Sequence, residues 1–362
     1  MRVGLLIYGS LDTLSGGYLY DRKVIDYFTA QGDQVEIISI PIHGYIRSVF
    51  DNYSRDLLTK LINLEVDVLI QDELNHPSLF ILNHKILSKI KFPVISIVHH
   101  LRSREQRPAW QNKLYGILEK KYLRSIDGFV FVSQNTKSSV ENLLGDLQAP
   151  YVIANPSASH SGKPLSPEEI TERVNSSDGE LKIIFLGSVT HRKGLHFLID
   201  SLRNIPIEKW RLSVIGSLET DPRYSKKVQA QSEELGLQEK IIFHGKLPRP
   251  EMAILLKQSN VIAVPSSFEG FGIVYLEGMA YGLPAIGTTG GGAVDVISHN
   301  KTGYLVDVDD TMALCKYLSL IADEPTELLK LSLAARDYYT QHPTWENTAK
   351  MVRDFTLALN GV

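Results

Sequence analysis

The sequence is poor in cysteine: Cys315 is the one thiol in 362 residues. That excludes a disulfide framework and a cysteine-rich zinc site, and it predicts a reducing, cytoplasmic setting. Long apolar runs are also absent. The N-terminal stretch MRVGLLIYGS holds only the run Val3–Tyr8, too short for a signal peptide or a membrane span. It reads as a first buried strand, and any membrane contact is expected to be peripheral, on the inner face. Neither sign of charge dominates. The chain has 38 Lys and Arg against 41 Asp and Glu, a formal charge of −3, which argues against a nucleic-acid partner. No short-period repeat and no low-complexity block is visible.

What remains is ordinary globular composition, 43% apolar and 22% charged, at a length that suits two domains. Short β-branched runs occur at 3–8, 35–40, 67–71, 93–98, 128–132 and 150–154. After a gap they resume at 181–186, 211–215, 240–243, 260–264, 284–287 and 303–306. Most are continuous apolar runs, as in strands covered on both faces. Amphipathic helical patterns at 53–64, 109–124, 134–144 and 248–258 lie between them. This alternation predicts βα units and parallel sheets. The gap 155–180 is rich in Ser, Pro, Gly and charge, so two doubly wound, Rossmann-like domains are expected, 1–160 and 181–341, with a linker at 161–180. The tail 342–362 carries a helix with Trp345, Met351, Phe355 and Leu359 on its apolar side.

The stretch PSSFEGFGIVYLEGMAYGLPAIG, 265–287, concentrates the chemistry. A strand ends at Val264, a glycine-rich turn follows, and a helix is expected from Gly272 to Tyr281. Ligands of open α/β sheets bind at this strand edge. The first N–H groups of such a helix, at Phe271, Gly272 and Ile273, favour an anion, above all a phosphate. Glu269 and Glu277 stand eight positions apart, about 12 Å along a helix. That is too far to flank one bond, since a retaining glycosidase pair sits about 5 Å apart. It is enough to bracket a longer ligand. A nucleotide sugar has this layout, with sugar hydroxyls, pyrophosphate and ribose hydroxyls in order. The alternative is a capping Glu269 and a structural Glu277.

Glu269 and Glu277, followed by GMAYGLPAIGTTGGGAVDVI and KTGYLV, resemble the retaining glycosyltransferases of family 4, which have the GT-B fold. The resemblance covers nearly the whole chain and is densest over 181–306. It implies a nucleotide-sugar domain, an acceptor domain, and an active site in a cleft between them. It implies that Glu269 holds donor-sugar hydroxyls, that Glu277 holds the ribose, and that the N–H groups of Phe271, Gly272 and Ile273 receive the pyrophosphate or sugar. Gly16 and Gly17 correspond to a double glycine that lets the backbone close on the donor. His99, ending PVISIVHH, matches a His beside the reacting sugar, with His100 the fallback. In FLGSVTHRKGLHFLI, Gly187 forms the turn, and Arg192 and Lys193 are expected to grip a diphosphate, the alternative being solvated charge on a turn. The family has Arg where Ser188 stands and commonly Glu where Asp295 stands. Trp345 resembles a closing segment that crosses back to the first domain.

Other signals stay open. A strand-end His also suits proton transfer near neutral pH. Asp72 and Glu73 end a strand and could touch an acceptor. Asp307 and Asp309 form a D-x-D, but they precede a helix where Asp309 or Asp310 suits an N-cap; neither a metal nor a cofactor is expected. Helix 109–124 carries Lys113, Lys120, Lys121 and Arg124 beside Trp110, Leu114 and Leu118. That is either a solvated face or a contact for anionic lipid or a lipid-pyrophosphate acceptor. The expected activity is metal-independent glycosyl transfer from a nucleotide diphospho-sugar, UDP-glucose foremost, to a glycan or lipid-linked acceptor. The alternatives are a sugar phosphorylase or phosphate synthase, or a non-catalytic nucleotide-sugar-binding subunit.

Overall fold

The computed structural model describes residues 1–13, 15–158, 164–176 and 179–361. The chain divides into two compact units, one built from Met1–Ser157 with Pro343–Val362 and the other from Ala158–His342. The expected boundary at 160 lies outside the described residues. Within 161–180, residues Pro167–Asn175 form a helix of the second unit, started by a Ser166–Glu169 capping box.

The first unit is built on six parallel strands among the described residues. They are β1 (Arg2–Tyr8), β2 (Gln34–Ile40), β3 (Val68–Asp72), β4 (Val94–Val98), β5 (Gly128–Phe131) and β6 (Tyr151–Ile153), in the order β2-β1-β3-β4-β5-β6. The second has β7 (Leu181–Leu186), β8 (Trp210–Ile215), β9 (Ile241–Gly245), β10 (Val261–Ala263), β11 (Ala285–Thr288) and β12 (Gly303–Val306), in the order β12-β11-β10-β7-β8-β9. All twelve expected strands are present, shifted by two residues at most. The central strands β3, β4 and β5 are buried along their whole length, as strands covered on both faces are, whereas the edge strands β2, β6 and β9 are partly exposed. Helix 109–124 is observed as Ala109–Leu123. The helix expected from Gly272 to Tyr281 is shorter, Ile273–Met279.

Strand order fixes where ligands can reach. It reverses direction between β1 and β3 in the first unit and between β7 and β10 in the second. Loops that leave neighbouring strands there diverge, and a crevice opens at the carboxyl ends.

The terminal helix, Trp345–Leu359, packs along Gly16–Ala30 within the first unit. Its inner face is Thr348, Ala349, Val352 and Thr356. Met351, expected on that side, is exposed instead. The small residues let the helix approach closely, and the larger Phe355 reaches over Gly128 of β5.

Candidate functional site

In the second unit the crevice between β7 and β10 holds most of the candidates. The loop after β7 runs through Gly187 to a short 3-10 turn, His191–Lys193. The loop after β10 carries Glu269. Lys193 Nζ donates to Glu269 Oε1 at 2.5 Å, and Ser266 Oγ donates to the same oxygen at 2.5 Å. Gly187 has φ +143, and a Cβ there would stand 3.2 Å from Lys193 Cε, so a side chain would press on the lysine. Arg192 donates to the Phe268 carbonyl at 2.5 Å and lies 3.6 Å from Glu269 Oε2.

Glu269 is 6% exposed. Burial raises its pKa, but the charges of Lys193 and Arg192, with the hydrogen bonds from Lys193 and Ser266, outweigh it and hold the carboxyl down at about 2. It is an acceptor at any physiological pH. Burial draws the Lys193 pKa down, and Glu269 and Glu277 oppose that. Glu277 is half-buried on the helix Ile273–Met279, and its field reaches Lys193. Phe271 is buried with its ring 6.0 Å from that of His342, and Gly272 caps the helix at φ +98. The Tyr275 N–H donates to the Gly272 carbonyl at 3.0 Å, which leaves the N–H groups of Ile273 and Val274 as the ones facing out of the helix start. Thus Gly187, Arg192, Lys193, Glu269, Phe271, Gly272, Ile273 and Glu277 fall around one strand edge.

The glycine run 290–292 clasps Glu269. The Glu269 N–H donates to the Gly290 carbonyl at 2.9 Å, and the Gly292 N–H donates to the Glu269 carbonyl at 2.7 Å. Gly291 has φ +92, and a Cβ there would lie 2.2 Å from the Glu269 carbonyl oxygen. Only glycine allows that approach. From below, Arg173 of the capped helix donates to the Tyr281 and Gly282 carbonyls at 2.8 Å each and pins the turn after the Glu277 helix.

In the first unit, Ser15 caps the helix Gly16–Ala30 through the Tyr18 N–H. A Cβ at Gly17 would meet the His99 ring at 3.3 Å. His99 follows β4 and is 7% exposed, with Nε2 3.2 Å from Asp21 Oδ1. Burial lowers its pKa, but the charge and hydrogen bond of Asp21 and the fields of Asp72 and Glu73 raise it to about 9. With a pKa of about 9 the ring is a donor rather than a base at neutral pH. Asp21 carried no local signal, since it lies one turn beyond Gly17 on an ordinary amphipathic helix. His100 pairs with Glu105 at 3.0 Å. Burial pushes Asp72 up to about 6 against the pull of His99. Asp72 also lines a cavity of 280 Å³ with Tyr8, Tyr18, Tyr45, Leu74 and Arg102 at the carboxyl ends of β1 and β3.

By donor type and spacing, two buried trios in this unit could hold a metal ion, Asp21–Asp72–His99 and Glu73–His76–Glu119. Asp307 and Asp309 belong to no such group among the described residues. Asp310 is the N-cap, accepting from the Ala313 N–H at 2.9 Å.

Among solved structures the chain is similar to sucrose-phosphate synthase of Thermosynechococcus elongatus (18% identical, TM-score 0.80, 99% of each chain covered). It is also similar to HepE of Anabaena in complex with UDP and glucose (16% identical, TM-score 0.75, covering 99% of this chain and 100% of that one). At that identity the likeness shows the fold, the GT-B architecture expected from sequence. Among curated relatives, a D-inositol 3-phosphate glycosyltransferase of Xylanimonas cellulosilytica is 26% identical over 236 residues, 63% of this chain. A second of that name, from Corynebacterium urealyticum, is 27% identical over 250 residues, 65% of this chain. The matches span 56% and 58% of those relatives' lengths. Residues 166–338, which lie within the second unit and include Gly187, Lys193, Glu269 and Glu277, match the Glycosyl transferases group 1 family.

Proposed function

We propose that this protein transfers a sugar from a nucleotide diphospho-sugar, with UDP-glucose the favoured donor, to a glycan or lipid-linked acceptor, with retention of configuration. The observation that carries the reading is the buried Glu269–Lys193 pair beside the Glu277 helix at the strand-order reversal of the second unit. A charged carboxylate kept in a crevice is poised to accept from sugar hydroxyls, and the ammonium has donors beyond the one Glu269 takes. The HepE neighbour, solved with UDP and with UDP-glucose, supports the donor assignment.

In this reading Glu269 fixes the sugar, Glu277 the ribose, and Lys193, Arg192 and the helix start at Phe271, Gly272 and Ile273 neutralise the diphosphate. Gly16 and Gly17 let the backbone close on the donor, and the imidazolium of His99 donates to the sugar. The bond from the anomeric carbon to the diphosphate oxygen breaks, and the acceptor oxygen bonds to that carbon on the same face. The acceptor's proton passes to the leaving diphosphate. No metal is assigned a step.

The test is a panel of nucleotide sugars, each assayed for hydrolysis and then for transfer to lipid-linked and soluble acceptors. UDP-glucose turnover with an α-configured product, read by NMR, is expected. Calorimetric binding of UDP with no hydrolysis or transfer from any donor would overturn the enzymatic reading. Turnover that requires inorganic phosphate as the acceptor would replace it with a phosphorylase.

A further inference from the structure

The first unit carries an apolar surface that the reading above does not use. On the helix Ala109–Leu123 the side chains of Trp110, Leu114 and Ile117 are 68%, 48% and 58% exposed. Their spacing of four and three residues aligns them in one stripe, about 10 Å long. A helix packed on a core normally turns such a stripe inward. Here the opposite side does that work, with Gly116, Glu119, Tyr122 and Leu123 buried. Beside the helix, Tyr115 packs on Tyr45 with ring centroids 4.1 Å apart. After Tyr45, on a neighbouring part of the same unit, Ile46 and Phe50 are also exposed, 79% and 67%.

Exposed charge around this surface is mostly basic, and the neighbouring Asp51 is half-buried and accepts from Ser78. Lys113 and Lys121 are exposed on the helix, Lys120 is half-exposed, and Arg124 follows it. The one acid of the helix, Glu119, is buried, where it accepts from Ser103. Arg47 is exposed between Ile46 and Phe50. Glu105, near the start of the helix, is held by His100 and Arg107. A chain with net charge −3 therefore gathers cations around its exposed tryptophan. No helix among the described residues is long and apolar enough to cross a membrane.

We propose that this face docks the first unit on an anionic lipid bilayer, with Trp110, Ile117, Ile46 and Phe50 entering the headgroup region and Arg47, Lys113, Lys120 and Lys121 meeting anionic headgroups. A basic rim around apolar side chains fits that surface better than a second copy of this chain, because a self-contact would bring like charges together. The placement also has a consequence for substrate. Tyr45 lines both the groove that holds Ile46, Phe50 and Tyr115 and the 280 Å³ cavity that holds Asp72. Docking thus sets the cavity beside the headgroup layer, where the polar end of a lipid-anchored molecule could enter. The bilayer contact itself rests on this surface alone and not on the assignment of the donor.

The experiment is co-sedimentation of the full chain with vesicles of equimolar phosphatidylglycerol and phosphatidylcholine, and with vesicles of phosphatidylcholine alone. Binding to the anionic vesicles that weakens as salt is raised is expected. Trp110→Ser with Ile117→Ser, and separately Lys113→Glu with Lys121→Glu, should each lower it about tenfold or more. Ile254→Ser with Met312→Ser, at exposed apolar positions of the second unit, should leave it unchanged. Unaltered circular dichroism and melting of each variant keeps the comparison one of binding. No binding to anionic vesicles, equal binding to neutral ones, or full binding by both first-unit pairs would overturn the proposal. So would sedimentation equilibrium showing a dimer that Trp110→Ser with Ile117→Ser dissociates.

Discussion

Lys193 Nζ lies 2.5 Å from Glu269 Oε1, and the two residues are 76 positions apart in sequence. Only the adjacency of β7 and β10 brings them together. Both side chains are nearly shut off from water, so either charge alone would be stranded. Removing one partner of such a pair costs about 3–5 kcal/mol, whereas removing both charges together is often neutral. Lys193→Ala is therefore expected to lower the melting temperature more than Lys193→Met combined with Glu269→Gln. Neither variant should turn over donor. Glu269→Ala alone should cost about 100-fold or more in turnover, measured on protein whose circular dichroism is unchanged. Wild-type turnover in Glu269→Ala would remove this residue from the site. Because the folded pKa of Glu269 is about 2 against an ordinary 4.5, its ionisation contributes stability above the ordinary value, which the lowered pKa of Lys193 partly offsets. That stability is lost as pH falls from there toward 2.

His99 gives the opposite pH sign. Its pKa rises from 6.5 to about 9 in the folded state. The stability it contributes is complete below 6.5 and disappears as pH rises through 9. Asp21 is its hydrogen-bond partner, so Asp21→Asn should lower stability at about pH 6 and matter much less at about pH 10. Urea unfolding of both proteins at the two pH values measures this, and an NMR titration of the His99 ring should show its pKa falling in the variant. A stability difference that does not change with pH would mean that Asp21 acts by packing alone.

The terminal helix offers a packing test. A Cβ at Gly128 would stand 2.5 Å from Leu359 Cδ1 and 3.1 Å from Phe355 Cζ. Both contacts are far ends of side chains, so the strain of Gly128→Ala can be relieved from the other side. Gly128→Ala should destabilise by about 1–3 kcal/mol, and adding Leu359→Ala should recover part of that in thermal melts. Additive losses would show that the two residues do not share this contact.

Much of this was legible in the sequence, for a physical reason. Strands buried on both faces are apolar throughout, so β5 and β10 announce themselves. Glu269, Lys193 and Gly187 sit in turns directly after strands, where charge and glycine are conspicuous. Asp21, Ser266 and Glu119 were not legible, because each is an ordinary residue locally and is made significant by a partner supplied through tertiary contact. Met351 was misplaced for a related reason. Hydropathy chose the large side chain, while close packing of the terminal helix on Gly16–Ala30 buried Thr348 and Ala349 instead. Nor did the glycine run 290–292 announce that it is held by hydrogen bonds to Glu269.

That run yields the last prediction. Gly291 has φ +92, and any Cβ would press on the Glu269 carbonyl oxygen at 2.2 Å. Backbone cannot swing aside as a side chain can, so Gly291→Ala must shift the loop that carries Glu269. A residue forced into such a conformation costs about 1–3 kcal/mol, and small displacements of a positioned group lower rate more than binding. Gly291→Ala is expected to reduce kcat for donor turnover at least about tenfold while UDP binding by calorimetry changes little. Gly44→Ala, where a Cβ would meet nothing within 4 Å, is the control for glycine replacement as such. Unchanged kcat in Gly291→Ala would mean that the clasp does not set the position of the carboxylate.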